Sequence, residues 1–566
     1  MSALQVGSSG LAAQQAGLQV TGNNIANAST PGYARETAQL TTAPDVNAGN
    51  NVAVGGGVVV NGVNRQVSAA LQAGLQNANS DNQAAQTLQT VLSQVQSTFG
   101  TLNQNDLSAQ TNSFFNSFSN LANNPQNSGQ RALVIQGGAT LAGYIQTLRG
   151  NLVGLHNSVQ SQYQTLAQQV SGLTQSIAAL NGKIGQTQGA GASSNSLQDQ
   201  RDAALAQLSN IMNIRTVDAG NGQVNVLVGS TPLVQGTQAQ AVSVAQTANS
   251  LNLPVYQLEI TNNQQIITPS SGKLAALAGA GTNTVDGAIS TLDTFANALI
   301  GVVNTVSSQG QGLTGMTTAT ATNAVTNANA ALNAGTAATG LAFTPVNGAF
   351  TLTITNSATG QSVNKQIVVN LSGAGTPTTL NSLAAQLTAA GLNASVNSSG
   401  QLTLATAGPG STFSFSGDTS GTLAALGINT FFTGSNAANI GVNPALSANS
   451  NLLATAQNNT PGSNANAVAL ANGFTAANTL LNGQNLQQFY TTYVGTLATQ
   501  GQTAQQNATA QAAIYSSVQA QQQSYSGVNM NEEALNLISY QQGFSSAAKY
   551  ISIVDQMMQT MLAMVQ

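Results

Sequence analysis

The sequence predicts an α+β multidomain fold with paired N- and C-terminal heptad helices, an elongated α-helical bundle and inserted β-rich outer modules. Three observations predict it. Apolar residues recur every seven positions at both ends of the 566-residue chain, as in helices that pack along a seam. From Leu141 to Leu180 a helical spacing of three and four continues over about forty residues, which is typical of an elongated bundle. After Ile214 the apolar period changes to two, as in β-strands.

The first helix carries a narrow apolar stripe with a seven-residue spacing. Its members are Leu4, Leu11, Leu18 and Ile25. The positions between them hold small or polar residues, including Gly7 and Gln14, and this favours close packing on another helix over a broad core face. The helix should end before Thr30-Pro31-Gly32-Tyr33, because proline disfavours helix at the preceding residue and Pro-Gly suits a type II turn.

The C-terminal segment has a stronger heptad pattern, with both seam positions mostly apolar. One set of positions is Leu537, Phe544, Ile551, Met558 and Val565, and the other is Tyr540, Ala547, Val554 and Met561. Asn531 is a candidate N-cap, and Glu532 and Glu533 suit the first turn, where the helix dipole stabilises carboxylates. Two such segments at opposite ends predict that the termini pair with each other or with neighbouring subunits.

Between the two ends, the sequence predicts four domains. Residues 1–65 with 520–566 form a terminal coiled-coil polymerisation domain, residues 66–212 with 273–312 and 450–519 a helical bundle, residues 213–272 a β-hairpin-rich insertion, and residues 313–449 a β-rich outer domain with a linker. Asn221-Gly222 before alternating valines predicts a hairpin. The Ala/Thr/Asn/Gly-rich stretch 314–341 has the composition of a linker or a loosely ordered excursion.

The shortage of charge excludes several classes of protein. Ten basic and 14 acidic residues make up only 4% of the chain, against roughly 25% in ordinary soluble domains. Too few basic residues are present to neutralise nucleic-acid phosphates or bind an anionic membrane. The N-terminus lacks the basic region of a Sec-type signal peptide, and no apolar run reaches the roughly 18 residues of a membrane-spanning helix. We therefore expect neither nucleic-acid binding nor membrane insertion.

Catalysis is equally constrained by the residues present. The chain has no cysteine and one histidine, His156, so thiol chemistry, thiolate metal sites and sites with two imidazoles are excluded. Paired carboxylates occur at Asp199 and Asp202 and at Glu532 and Glu533. Charge pairing and helix-dipole effects account for both pairs. We expect a protein that is not an enzyme and has no cofactor, metal or catalytic residue.

Both ends of the chain carry a recognisable signature. The N-terminal motif residues are Asn23, Asn24, Ile25, Asn27, Thr30, Pro31, Gly32 and Tyr33, preceded by Ser9-Gly10-Leu11. They resemble the N-terminal signature of bacterial flagellar axial proteins, which include rod, hook and hook-associated subunits. Ser526-Gly527-Val528-Asn529, Glu532-Glu533-Ala534 and the terminal heptads resemble the matching C-terminal signature. Either end alone marks only this broad group.

Three internal stretches narrow the resemblance to the flagellar hook-associated protein 1 family, the hook-filament junction (FlgK) family. These are Gly55-Gly56-Gly57-Val58 leading to Val63-Asn64-Arg65, Asp199-Gln200-Arg201-Asp202 followed by Gly222-Gln223-Val224, and Leu426-Gly427-Ile428-Asn429 with Phe431-Phe432-Thr433-Gly434. They occur in the family's order and cover much of the chain between the two termini.

The resemblance implies an extracellular structural subunit of the flagellar hook-filament junction, required for filament assembly and motility. It implies export through the flagellar type III apparatus without a cleaved signal peptide, and self-association in a helical or ring-like zone. The implied partners are the hook protein, the next hook-associated junction protein and an export chaperone at the C-terminal helix. A rod or hook axial subunit, or an extracellular low-charge adhesin, is the alternative.

The charge shortage also predicts where such a protein works. Contacts made by apolar seams and amide hydrogen bonds depend little on salt, and a chain with few carboxylates should be destabilised only weakly by acid. We therefore hypothesise a bacterium whose flagella face acidic surroundings.

Overall fold

The computed structural model describes residues 2–47, 53–100, 106–457 and 462–564. The helices are α1 (Ser2–Asn27), α2 (Ala69–Thr98), α3 (Leu107–Asn123), α4 (Ser128–Gly189), α5 (Asn195–Ile211), α6 (Gly272–Gly279), α7 (Asp286–Ser308), α8 (Thr336–Thr339), α9 (Leu380–Ala389), α10 (Thr422–Leu426), α11 (Pro444–Ala448), α12 (Ala465–Ala471), α13 (Leu486–Ser526) and α14 (Met530–Met564). A π-helical segment, Ala280–Val285, joins α6 to α7.

The strands are short and lie between the long helices. They are β1 (Glu36–Thr42), β2 (Val46–Asn47), β3 (Ala53–Val54), β4 (Val58–Arg65), β5 (Arg215–Gly220), β6 (Gln223–Val228), β7 (Thr231–Gln235), β8 (Gln238–Ala239), β9 (Val242–Ala248), β10 (Pro254–Ile260), β11 (Gln265–Ile267), β12 (Thr318–Thr320), β13 (Gly348–Asn356), β14 (Ser362–Val369), β15 (Leu392–Val396), β16 (Leu402–Thr406), β17 (Ser411–Ser416), β18 (Phe432–Thr433) and β19 (Gly441–Val442). The predicted α+β class is confirmed.

Contacts along the chain group it into two compact units. The terminal unit comprises Met1–Thr90, Ser158–Gly281 and Gln502–Gln566, and the central unit comprises Val91–Asn157 and Thr282–Gly501. Three of the four divisions fall inside the long helices α2, α4 and α13, and the fourth falls inside the π-helical segment. The four predicted domains divide the chain more finely than these two units, and that division stays a prediction.

Among the described residues, the terminal unit contains four antiparallel sheets, of which the β2–β3 pair is the smallest. Strand β1 pairs with β4, with Glu36 opposite Arg65. Strands β5 to β8 form a four-stranded sheet in sequence order, and β9 to β11 form a three-stranded one. The predicted hairpin is confirmed: Asn221 and Gly222 both have positive φ, 48° and 69°, as the tight turn between β5 and β6 requires.

Helix α4 is 62 residues long and confirms the predicted long helix. Its apolar residues at spacings of three and four are buried along its whole length; they include Ile145, Leu152, Val159, Val170, Ile177 and Ile184. A helix of this length depends on packing on its apolar face, because helix propensity alone contributes little.

A β-rich module forms one core of the central unit. Its sheets have the strand orders β14-β13-β17 and β12-β16-β15, and α9 packs beside β15. The linker predicted at 314–341 is wrong, because this stretch belongs to the module's core. Ala321, Val325, Leu332 and Leu341 are buried there, and Leu332 N–H donates to the Thr378 carbonyl at 3.0 Å. A few apolar side chains spaced along an Ala/Thr/Asn-rich segment are enough to order it.

A second core of the central unit is aromatic. Phe114 and Phe118 of α3 pack against Phe431 and Phe432, and the last two rings lie 4.8 Å apart. Nearby, Arg131 is fully buried and donates to the carbonyl oxygens of Pro125 at 2.8 Å and Leu453 at 2.7 Å. The burial of this guanidinium lowers the pKa of Arg131 to about 10.

Among the described residues, one helical stretch, Gly272–Ser308, is long and apolar enough to cross a membrane. More than half of its most apolar part, 56%, is buried inside the protein. A buried core helix can be equally long and apolar, so this stretch is weak evidence for a membrane span.

Candidate functional site

The two chain termini meet as an antiparallel helix pair in the terminal unit. Gly7 of α1 faces Ile551 of α14, and Gly17, ten residues further along, faces Tyr540. A Cβ atom on Gly7 would lie 2.7 Å from Ile551 Cγ1, and one on Gly17 would lie 2.6 Å from Tyr540 Cδ1. The missing side chains therefore allow the two helices to approach closely.

The C-terminal seam residues lie mostly where the heptads placed them. Leu537, Tyr540, Phe544, Ala547, Ile551 and Val554 are half-buried on one face of α14. Further along α14, the predicted seam residues Met558 and Met561 are exposed, and the exposed fraction of Met561 is 58%. Val565 lies outside the described residues. Leu4, Leu11, Leu18 and Ile25 of α1 are half-buried. The role of these residues in polymerisation stays a prediction.

Sequence reasoning missed which face of α1 is buried most deeply. That face consists of Gly7, Ala13, Gly17, Val20, Thr21 and Asn24. It is built from small and polar residues, so a search for large apolar side chains does not find it. The spacing of three and four among these residues is the signal that could have shown it.

Asn24, from the N-terminal motif, is the hydrogen-bonding centre of the joint. Its side chain is 1% exposed. The Nδ2 group donates to the Glu36 carbonyl at 2.9 Å and to Glu533 Oε2 at 3.1 Å. Its Oδ1 accepts from the Glu36 N–H at 2.9 Å and from the Tyr33 hydroxyl at 2.8 Å. One amide thus ties the first helix to the first strand and to the last helix.

Arg35 links the N-terminal motif to the C-terminal signature by ion pairs. Its Nε and Nη1 atoms lie 2.8 Å from Glu533 Oε1 and Glu532 Oε2 respectively. Glu533 is buried and Glu532 is half-exposed. The expectation that these carboxylates serve only the helix dipole is therefore incomplete. The prediction that Asn531 caps α14 is also wrong. The cap is Asn529, whose Oδ1 accepts the backbone N–H of Asn531 at 3.1 Å.

The motif turn after α1 has the predicted form. Tyr33 N–H donates to the Thr30 carbonyl at 3.2 Å, and Gly32 has a φ of 82°, which a type II turn requires at its third position. The other motif residues support the turn from α1: Asn27 Oδ1 accepts from the Thr30 hydroxyl at 3.2 Å, and Asn23 Nδ2 donates to Glu36 Oε2 at 3.2 Å.

The triple glycine lets the β1–β4 hairpin rest on α1. Gly57 has a φ of 101°, and a Cβ atom there would collide with Ser9. Ser9 Oγ instead accepts the N–H of Val58 at 3.2 Å. These contacts explain the glycine at position 57 and the small side chain at position 9.

A cluster of charged groups lies where the hairpin meets α5; we call it the charge cluster. It consists of Glu36, Arg65, Asp199, Arg201 and Asp202. Arg65 Nη2 lies 2.6 Å from Asp199 Oδ1 and 2.7 Å from Asp202 Oδ2. The side chains of both aspartates are mostly buried. Burial raises the pKa of Asp199 to about 6 although Arg65 opposes the rise, and the charges of Asp202 and Glu36 add to it.

Much of α14 is apolar and exposed. Its exposed apolar residues include Leu535, Ile538, Ile553, Met557, Met561, Leu562 and Met564. We call them the open face of α14. Soluble monomers rarely expose large contiguous apolar patches, and such patches mark interaction surfaces. The arrangement is suited to association with further helices.

The described residues show no arrangement for metal chemistry. Among them, no group of three or more His, Asp and Glu side chains could hold a metal ion. His156 is buried in the central unit, and its Nδ1 lies 2.7 Å from Asp286 Oδ1.

Comparison with known families agrees with this architecture. Residues 92–321 match the model of the flagellar hook-associated protein FlgK helical domain. Residues 4–33 match the flagella basal body rod protein family, and residues 519–564 match the flagellar basal body rod FlgEFG protein C-terminal family. Over this helical domain the chain is similar to FlgK. The terminal joint is therefore built from the two segments of this chain that match rod-protein families.

Individual FlgK relatives match part of the chain. The flagellar hook-associated protein 1 of Salmonella typhimurium is 30% identical over 263 residues, which cover 46% of this chain and 47% of the relative. That of Bacillus subtilis is 29% identical over 211 residues, covering 36% and 42%. The matched stretch thus spans about half the length of the Salmonella relative, 47%.

A solved structure extends the likeness in fold. The flagellar hook junction protein FlgK from Burkholderia pseudomallei superposes with a TM-score of 0.52 at 17% identity, covering 80% of this chain and all of that one. At this identity the likeness concerns the fold alone.

Proposed function

We propose that this chain is a structural subunit of the bacterial flagellum that forms the junction between hook and filament, required for filament assembly and motility. The observation that carries the proposal is the FlgK helical-domain match at residues 92–321, placed between two termini that pair as α1 and α14. The role is structural and needs no catalytic residue.

The open face of α14 is the proposed polymerisation surface, together with the seam residues of α1 and α14. Burying apolar surface contributes about 25 cal/mol for each Å² removed from water, so neighbouring subunits gain by covering Met557, Met561 and Leu562. The hook protein and the next hook-associated junction protein are the proposed neighbours, and an export chaperone is the proposed partner of α14 before assembly. The protein would work outside the cell, exported without a cleaved signal peptide.

Electron microscopy of a deletion strain tests the function. We expect hooks without filaments, flagellin lost to the medium, and full recovery when the chain is restored. Normal filaments in the deletion strain would refute the proposal.

A paired variant tests the surface. The double substitution Met557→Gln and Leu562→Gln should leave the protein folded and secreted but fail to restore filaments. Val363→Gln, at an equally exposed apolar position on β14, is the matched control and should restore them. Equal restoration by both variants would remove the open face from the proposal.

A rod or hook axial subunit is the second candidate, because both termini match rod-protein families. It predicts a different phenotype in the same experiment: the deletion strain would lack hooks as well as filaments.

A further inference from the structure

Charge is rare in this chain, yet it is concentrated at one place. The chain has 24 charged residues. Eight of them meet at the terminal joint: Arg35, Glu36, Arg65, Asp199, Arg201, Asp202, Glu532 and Glu533. Three arginines face five carboxylates, so the joint has a net charge of −2. A chain that otherwise uses amides and hydroxyls keeps an excess of carboxylates here.

Within the charge cluster, Asp199 is the carboxylate with the weakest support. Arg65 Nη2 donates a hydrogen bond to Asp202 Oδ2 at 2.7 Å and also lies 2.6 Å from Asp199 Oδ1. Asp199 Oδ1 is buried and contacts Arg65, which also pairs with Asp202. Arg201 reaches Asp202, at 3.4 Å, and Glu36 is held by Asn195 at 2.9 Å. One guanidinium nitrogen therefore serves two carboxylates, with a third nearby.

We propose that the charge cluster is a proton-operated latch: in a mildly acidic medium Asp199 takes up a proton, and the β1–β4 hairpin is then held more firmly on α5. With Asp199 ionised, the five groups carry a net charge of −1. Protonation brings this to zero, leaves Arg65 paired with Asp202, and removes the repulsion among Asp199, Asp202 and Glu36. Protonation thus neutralises a buried charge; it gives up the ion pair between Asp199 and Arg65, while Arg65 keeps Asp202 as its partner.

The direction of the pH effect follows from the surroundings of Asp199. It is faced by Arg65 from β4, by Arg201 and Asp202 from α5, by Glu36 from β1 and by Tyr33 from the motif turn. Burial raises the pKa of Tyr33 far above this pH range, so its hydroxyl stays neutral. The pKa of Asp199 is about 6 in the folded protein, against 3.8 ordinarily. The folded state binds the proton first, so stability increases as pH falls from about 7 to about 4.

The latch acts on the terminal helices through the hairpin. Glu36 at the start of β1 is bonded to Asn24 of α1, and Val58 at the start of β4 is bonded to Ser9. Firmer attachment of the hairpin therefore steadies α1 as well. The inference concerns the folding of the joint and does not depend on the proposed function, although it agrees with the acidic surroundings that the composition predicts.

Hydrogen exchange of the full-length protein between pH 4.5 and 7.5 tests the latch, after correction for the intrinsic pH dependence of exchange. The opening that exposes the β4 amides should be about 25-fold less frequent at pH 4.5 than at pH 7.5. This factor follows by linkage from the folded and ordinary pKa values of Asp199. Asp199→Asn should abolish this dependence and protect β4 at pH 7.5 at least as well as the native chain. Asp45→Asn, at an exposed position, is the control and should retain the dependence.

A second variant keeps the test decisive if Asp199→Asn does not fold. Asp202→Asn leaves Arg65 to Asp199 alone, so the transition should move from near pH 6 towards pH 4. The proposal is overturned if Asp199→Asn keeps the native pH dependence, or if Asp202→Asn leaves the midpoint unchanged. It is equally overturned if β4 opens more often in acid than at neutral pH.

Discussion

Replacing Asn24 by alanine should open the terminal joint. The substitution removes four hydrogen bonds at once, two donated to the Glu36 carbonyl and Glu533, and two accepted from the Glu36 N–H and the Tyr33 hydroxyl. Because Asn24 is buried, water cannot replace them without opening the structure. Each such bond contributes about 1 kcal/mol net, and more where the partner is charged.

The expected loss is therefore about 3–5 kcal/mol in the free energy of opening of α1. Since about 1.4 kcal/mol corresponds to a factor of ten, amide exchange in α1 should accelerate by roughly two to four powers of ten, or reach the unprotected rate. The measurement is hydrogen exchange by mass spectrometry on the full-length protein, read over peptides from α1 and α14.

Asn27→Ala is the matched control. Asn27 lies on the same helix, but its side chain bonds only to Asn23 and to the nearby Thr30 hydroxyl, in exposed hydrogen bonds, so its loss should change exchange by less than about tenfold. Asn24→Asp should be at least as damaging as alanine, because it places a carboxylate beside Glu533 and Glu36. Indistinguishable exchange in the Asn24→Ala and Asn27→Ala proteins would refute the assignment of Asn24 as the centre of the joint.

Two further substitutions test other contacts. Gly17→Ala should lower the melting temperature, because the added methyl group overpacks against Tyr540 and costs about 1–3 kcal/mol of stability. Gly22→Ala on the same helix meets no atom within 4 Å and should stabilise the protein by up to about 1 kcal/mol. Equal effects of the two substitutions would contradict the close approach of α1 and α14. Arg131→Met should destabilise the central unit by about 2–4 kcal/mol because the carbonyls of Pro125 and Leu453 lose their donor, and a calorimetric transition unchanged in temperature would count against this.

Periodicity was enough to predict the long elements. The spacing of apolar residues predicted α4, α14 and the β5–β6 hairpin, because a helix or strand buries one face and the burial leaves a period in the sequence. The same reasoning placed Tyr540, Ala547 and Ile551 on the packed side of α14. These are local properties, and each can be read from a few neighbouring turns of chain.

The approach of α1 to α14 shows where that reasoning ends. The leucine spacing predicted one stripe of α1 as the packing face, but the closest contacts with α14 are made at Gly7 and Gly17. A glycine carries no apolar signal, and its importance depends on which side chain lies opposite. Likewise, residues 314–341 have the composition of a linker, yet Val325 and Leu332 lie inside the core.

The sequence by itself determined the helical and β-rich parts of this chain, the pairing tendency of its two ends, its scarcity of charge and its family signature. Only the tertiary structure decided that Arg35 meets Glu533 and that Arg65 is shared by Asp199 and Asp202. Arg35 and Glu533 lie 498 positions apart in the chain, and Arg65 and Asp202 lie 137 positions apart. Burial and partner distance set their energies, and neither is defined until the fold has brought the residues together.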